Sequence, residues 1–230
     1  MSRAEQIAAA LGRVRARLAA AERAAGRAPG GVRLVAVSKR MTVDDVRAAL
    51  AAGQLELGES YGQELRDKLL ALPHEPVAPR WHFIGPLQAN KVKYVAGHVA
   101  LIHSVDSVEL LEALERRGTE QACLVQVNVS GEAQKRGVTP ERLPGLLDRF
   151  ATLTHVRCEG LMTVPPLCED PGAARPHFGA LRALRAREAA RGRPRVDLRE
   201  LSMGMSHDLE VAVAEGATIV RVGTAIFGTR

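Results

Sequence analysis

Eight short apolar runs alternate with helical stretches along this chain, and no other feature restricts its fold as strongly. The runs are 34–40, 55–58, 81–84, 101–104, 123–128, 156–161, 200–203 and 219–222. Segments with apolar residues at helical spacing lie between them, at 62–71, 89–96, 108–117, 140–150, 173–191 and 207–214. Another helix is capped by Thr42, turns Val43, Val46 and Leu50 inward, and stops at Gly53. Strict alternation implies parallel strands joined by right-handed crossovers. Eight of them close a (β/α)8 barrel, and 230 residues suit one such domain. An open doubly wound sheet is the other arrangement this order permits. No run contains proline, as central strands require, and Pro165-Pro166 falls after the sixth. An extra amphipathic helix precedes the first strand. Ser2 to Glu5 has capping-box spacing, Ile7, Leu11, Val14 and Leu18 share a face, and the helix ends in 26–31. No Pro/Gly/Ser-rich linker divides the chain, so 1–230 is expected to be one domain.

Composition narrows the function. The net charge of +6 suits anionic ligands, although the arginines are spread along the chain and also read as a solvated surface. Aromatics are only 3% of residues, so no base-stacking platform for nucleic acid is expected. No GxGxxG or GxxxxGK[ST] occurs. Cys123, Cys158 and Cys168 are odd in number and irregularly spaced, which suits free thiols in a reducing, cytoplasmic setting. Cys123 and Cys158 fall inside strands and read as small core residues. No run reaches membrane-spanning length. The basic, Ala-rich start carries Glu5 and Glu22 without a long apolar core, and reads as mature structure. His82, His103 and His207 lack metal-ligand spacing and are expected to be solvated or at the core edge.

The chemistry gathers after the strands, at the face where such barrels carry their sites. There are five lysines against 27 arginines. Lys68, Lys91, Lys93 and Lys135 sit among polar neighbours and read as solvated, whereas Lys39 ends a Val-rich run. An amine at the mouth of a sheet, where burial or a nearby cation lowers its pKa, can form a Schiff base. A lysine snorkelling off a strand end fits the same residues. After the second strand come Glu59, Ser60 and Tyr61, and after the seventh Ser202-Met203-Gly204-Met205-Ser206. After the eighth come Gly223 and Thr224, with Arg221 just before. Ser206 is placed to cap a helix starting near His207, whose free N–H groups and dipole favour an anion. Gly223 admits a ligand to the backbone and Thr224 adds a hydroxyl. Ser206 as a plain cap and Gly223 as a plain turn remain equally compatible. If the barrel closes, strand eight lies beside strand one, and Lys39 faces Arg221, Gly223 and Thr224. An aldehyde-seeking amine beside an anion cradle suits a phosphorylated aldehyde, and pyridoxal phosphate has both groups.

Seven stretches, 35–39, 57–64, 81–91, 127–130, 159–162, 201–206 and 220–228, resemble in residues and order the pyridoxal-phosphate homeostasis proteins, relatives of the alanine racemase barrel domain. The resemblance implies that Lys39 is the Schiff-base lysine. It implies that Ser202, Met203, Ser206, Gly223 and Thr224 form the phosphate cradle, and that Arg221 faces the pyridine nitrogen. Ser60 stands where the family usually has Asn, so its polar contact to the cofactor departs from the pattern. Arg40 stands where the family often has Thr or Asn. An arginine at the pyridine nitrogen disfavours its protonation and leaves a weaker electron sink. In alanine racemase a second domain and a partner subunit complete the site and supply a tyrosine. Here the sequence ends seven residues after Gly223, which leaves no room for that domain. These points imply a carrier or regulator of pyridoxal phosphate; a monomer rather than a dimer, apo-enzymes as partners, and no nucleic-acid or membrane partner are the accompanying expectations. The competing class is a small pyridoxal-phosphate-dependent racemase, with Tyr61 as the nearest second acid/base group. A nucleic-acid or scaffold protein rests on charge alone.

Overall fold

The structure, a computed structural model, describes residues 1–73 and 77–229. Eight parallel strands close a barrel in the order β1 to β8. They are β1 Arg33–Val37, β2 Glu56–Glu59, β3 Arg80–Phe83, β4 Leu101–Val105, β5 Gln121–Gln126, β6 Val156–Met162, β7 Val196–Ser202 and β8 Ile219–Val222. Around them run α1 Arg3–Ala24, α2 Val43–Ala51, α3 Gly62–Ala71, α4 Val108–Glu115, α5 Leu143–Phe150, α6 Arg175–Ala189, α7 Leu209–Ala214 and α8 Thr224–Phe227. The closed sheet, rather than the open one, is therefore the arrangement adopted.

Side chains alternate across each strand, and the two faces meet different surroundings. Leu57, Trp81, Phe83, Ile102, Cys123, Leu161, Val220 and Val222 belong to the apolar shell shared with the helices. Val35, Leu101, Ala122, Leu124, Met162 and Ile219 form a separate small cluster that fills the barrel interior. β1 pairs with β8 through Arg33↔Ile219 to Ala36↔Val222 and closes the ring.

The N-terminal helix is set by its capping box, with Ser2 and Glu5 each accepting from the other's N–H. Its buried stripe of Ile7, Leu11, Val14 and Leu18 lies across α2, α7 and α8. Arg3 reaches both Asp45 of α2, at 2.7 Å, and the Phe227 carbonyl of α8, at 2.9 Å. Arg17 pairs with Glu210 of α7. The helix thus spans the seam where β8 meets β1.

Several helical boundaries differ from the pattern expected of the sequence. Residues 89–94 form a 3-10 helix, not an α-helix. α5 begins at Leu143, with Pro144 in its first turn. A 3-10 turn, Pro171–Ala174, leads into α6. α7 begins at Leu209 with Asp208 at its N-cap position, so Ser206 does not cap it.

Candidate functional site at the carboxyl ends of the strands

β1 ends at Val37, and Ser38, Lys39 and Arg40 turn over the barrel mouth. Arg40 has φ +61°, a left-handed conformation uncommon for a residue with a Cβ. Two peptide groups brace this turn. The Ser38 carbonyl accepts from Lys68 Nζ at 2.7 Å and from the Met41 N–H at 2.9 Å. The Arg40 N–H donates to Glu64 Oε1. Lys39 between them is half-buried.

Gly223 packs against the end of β1, since a methyl group added there would lie 3.5 Å from the Val37 carbonyl oxygen. Lys39, two residues beyond Val37, therefore shares the β1–β8 seam with Gly223 and Thr224. The β7 loop joins them. Thr224 Oγ1 donates to Ser206 Oγ at 3.1 Å, and the Ala225 N–H reaches the same oxygen at 3.4 Å. Ser206 thus caps the short turn α8 and not the helix after it in sequence. Gly204 makes the loop fit: its φ is +95°, and a Cβ there would come within 2.5 Å of the Ala212 Cβ. Its carbonyl accepts from the Arg221 N–H. Met203 is buried in the outer apolar shell, with its own N–H on the Ile219 carbonyl.

Ser202 lies elsewhere. By strand alternation its hydroxyl points into the barrel, away from Ser206 and Thr224, and meets Arg221 and His103. These belong to one chain of polar groups. Arg221 Nη1 donates to Ser202 Oγ, and Ser202 Oγ lies 2.8 Å from His103 Nδ1. His103 Nε2 lies 2.9 Å from His82 Nδ1, and His82 Nε2 meets Glu56. A carboxylate only accepts, so His82 donates from Nε2, and the tautomer with a bare Nδ1 receives there from His103. His103 then donates from Nε2 and accepts the Ser202 proton at Nδ1. In this arrangement every bond points from the guanidinium toward the carboxylate. Arg221 also donates from Nη2 to the Thr163 carbonyl at 2.9 Å.

His82 and His103 are thus fully buried, not solvated or at the core edge. Burial, with His82 and Arg221 beside it, holds His103 well below the usual histidine range. Burial also lowers Arg221 to about 10, which leaves it cationic at neutral pH. The unfolded chain protonates His103 near pH 6.5 while the folded chain does not, so the stabilisation is present above that value and lost below it. We expect thermal stability to fall as pH drops from 7 to 5, with a limiting slope of about 1.4 kcal/mol per pH unit for one proton. His103→Asn should flatten that dependence relative to wild type. Parallel melting curves of the two proteins with unchanged relative slope would remove His103 as its source.

Around β2 the polar groups are equally enclosed. Lys68 is 4% exposed, so it is not the solvated lysine its polar neighbours in sequence suggested. Its Nζ donates to Glu59 Oε1 at 2.7 Å and Glu64 Oε1 at 2.8 Å as well as to Ser38. Ser38 Oγ donates to Glu59 Oε1 at 2.6 Å. Burial raises the Glu59 carboxyl above its ordinary range, against the pull of Lys68 and Ser38. Ser60 is buried beneath Gly85, where any side chain would collide with the Ser60 carbonyl at 2.3 Å. It lines a cleft of about 220 Å³ with Tyr61, Gln63 and Lys91. Tyr61 is exposed, and its hydroxyl accepts from Arg40 at 3.3 Å with the guanidinium 5.6 Å from the ring centre. Arg40 therefore covers Tyr61 at the rim. Cys123 and Cys158 are buried free thiols, with Cys158 pushed up to about 12 by burial. Among the described residues no group of three His, Cys, Asp or Glu is placed to hold a metal. No described helix is long and apolar enough to cross a membrane.

This closed parallel barrel belongs to the alanine racemase N-terminal domain class, whose family model matches residues 10–230. Within it, the chain belongs to the pyridoxal phosphate homeostasis protein family. The Aquifex aeolicus pyridoxal phosphate homeostasis protein is 43% identical over 96% of each chain. The structure of PipY from Synechococcus elongatus with PLP bound superposes with a TM-score of 0.83 at 36% identity, covering 96% of this chain and 100% of that one. Alanine racemase from Corynebacterium glutamicum shares the fold, with a TM-score of 0.73 at 16% identity. This chain covers 61% of that racemase.

Proposed function

We propose that residues 1–230 act as one pyridoxal 5'-phosphate-binding domain that holds the cofactor as a Schiff base on Lys39 and serves its homeostasis as a carrier, with little catalysis. The observation that carries this reading is the meeting of the Lys39 turn with Ser206, Gly223 and Thr224 at one seam. Lys39 would be the residue that holds the cofactor, its primary amine condensing with the aldehyde with loss of water. The phosphate is received by the Ser206 and Thr224 hydroxyls and by the backbone at Gly223, where no side chain intervenes. Met203 and Gly204 shape that loop. Ser202 supports Arg221 rather than the phosphate. Arg221 faces the pyridine nitrogen in this reading, and Ser60 follows β2, on the other side of β1 from β8. A cation there keeps the nitrogen unprotonated, because two positive charges would otherwise meet. The ring then withdraws electrons poorly, and a carbanion at a substrate carbon gains little. The names of the 43%-identical relatives and the PLP in PipY support the cofactor and the homeostatic role.

Ligand titration, cofactor transfer and proton exchange test this. Ser206→Ala and Thr224→Ala should each weaken pyridoxal phosphate binding, by about 1.5–3 kcal/mol for a hydrogen bond to a charged group. Pyridoxal, without the phosphate, should bind wild-type protein poorly and be insensitive to both changes. Equal titration of the two ligands would remove the cradle. For the carrier role, holo-protein mixed with an apo-enzyme should restore its activity. The same holo-protein with L- or D-alanine in deuterium oxide should show no α-proton exchange at ordinary enzyme rates, on the order of 1–10³ per second. Exchange at such rates would assign the protein to the racemases instead.

A further inference from the structure

The two peptide groups that flank the Lys39 α-carbon are gripped by one buried ionic cluster. The peptide before it presents the Ser38 carbonyl to Lys68 Nζ, at 2.7 Å. The peptide after it presents the Arg40 N–H to Glu64 Oε1. Lys68 and Glu64 are themselves joined at 2.8 Å, one turn apart on α3, and Glu59 at the end of β2 completes the cluster. When both peptide planes beside an α-carbon are held, its φ and ψ are held, and so is the direction of its side chain. The grip also meets a cost: Arg40 has a left-handed backbone, which a residue with a Cβ adopts only when its surroundings enforce it.

We propose that Glu64 and Lys68 are positioning residues for Lys39. They touch no cofactor atom. They aim the Lys39 amine at the aldehyde by fixing the backbone on both of its sides. This rests on the Schiff-base reading above. Positioning predicts a selective defect. Placing a reacting group correctly matters for bond formation, where loss of placement costs up to about 10²-fold. It does not matter for a ligand that docks through its phosphate alone. Pyridoxine 5'-phosphate, with an alcohol in place of the aldehyde, is such a ligand.

The test compares the affinities of pyridoxal 5'-phosphate and pyridoxine 5'-phosphate for full-length wild type, Glu64→Ala and Glu64→Gln, with folding checked by circular dichroism. Glu64 is the variant site of choice because it sits at the edge of the cluster, with its side chain 22% exposed, whereas Lys68 is needed for the buried charge balance. Glu64→Ala should bind the aldehyde about 10-fold more weakly and form the imine more slowly, with the alcohol unaffected. Glu64→Gln retains an oxygen that accepts the Arg40 N–H and should restore most of the loss. Equal weakening of both ligands, or no change for the aldehyde, overturns the proposal. The wild-type comparison separates it from the reading beneath it. If wild type itself fails to prefer aldehyde over alcohol, the Schiff base on Lys39 fails first.

Discussion

Lys68→Met should destabilise the protein by about 3–5 kcal/mol, the cost of removing one partner from a buried ion pair. Lys68 and Glu59 are 4% and 0% exposed, and 2.7 Å apart. Methionine fills the aliphatic volume but leaves the Glu59 carboxylate with only the Ser38 hydroxyl. Its other oxygen has no partner among the described residues even in the wild type. The melting temperature should fall by roughly 6–20 °C, taking about 2–4 °C per kcal/mol for a domain of this size. The effect also has a pH signature. The Glu59 carboxyl is raised by burial, so its penalty is absent below the ordinary carboxylate pKa and grows as pH rises through the raised one. Removing Lys68 raises it further, so the gap between variant and wild type should narrow in acid. A second change, Glu59→Gln, should recover part of the loss by removing the stranded charge. Calorimetry at two pH values on the three proteins measures this. A loss within about 0.5 kcal/mol, as for an ordinary surface change, would show that Lys68 is solvated after all.

The second large effect is on the cofactor. Lys39→Ala should remove covalent capture altogether, because no other lysine is placed on the seam. Lys68 is held by three oxygens beneath the turn. Lys91 and Lys93 lie on the 3-10 helix after β3, 5.8 and 5.0 Å from the Tyr94 ring centre. Non-covalent binding through Ser206, Gly223 and Thr224 should persist in the variant at reduced affinity. The visible imine band should therefore vanish while phosphate-dependent binding remains in a titration. An unchanged band in Lys39→Ala protein would move the attachment to another amine.

The strand positions and the Lys39 turn were readable from the sequence because both are local. A Val-rich run followed by a lysine, or a glycine after an apolar run, reports its own neighbourhood. Ser206 was placed rightly near Gly223 and Thr224 but given the wrong partner. Its nearest helix in sequence starts three residues later, while the one it caps arrives only after β8 returns to the seam. Lys68 was misread because α3 is polar in sequence and its burial depends on Glu59 and Ser38 from two other elements. The Glu64–Lys68 spacing, one helical turn, was the available signal. His82, His103 and Ser202 were missed as a set because each lies among apolar residues of a different strand. Strand parity could have found them, since alternation turns each of the three toward the barrel interior. The distance between strands then decides that they touch, and a sequence does not contain it.

Covalent capture of the cofactor rests on one bond, between Lys39 and the cofactor aldehyde. The most direct measurement is borohydride reduction of the pyridoxal-phosphate-loaded wild-type protein, followed by peptide mass mapping. The expected result is one reduced cofactor adduct, on the peptide that carries Lys39. An adduct on the peptide carrying Lys68, Lys91, Lys93 or Lys135, or no adduct at all from protein that binds the cofactor, would contradict it.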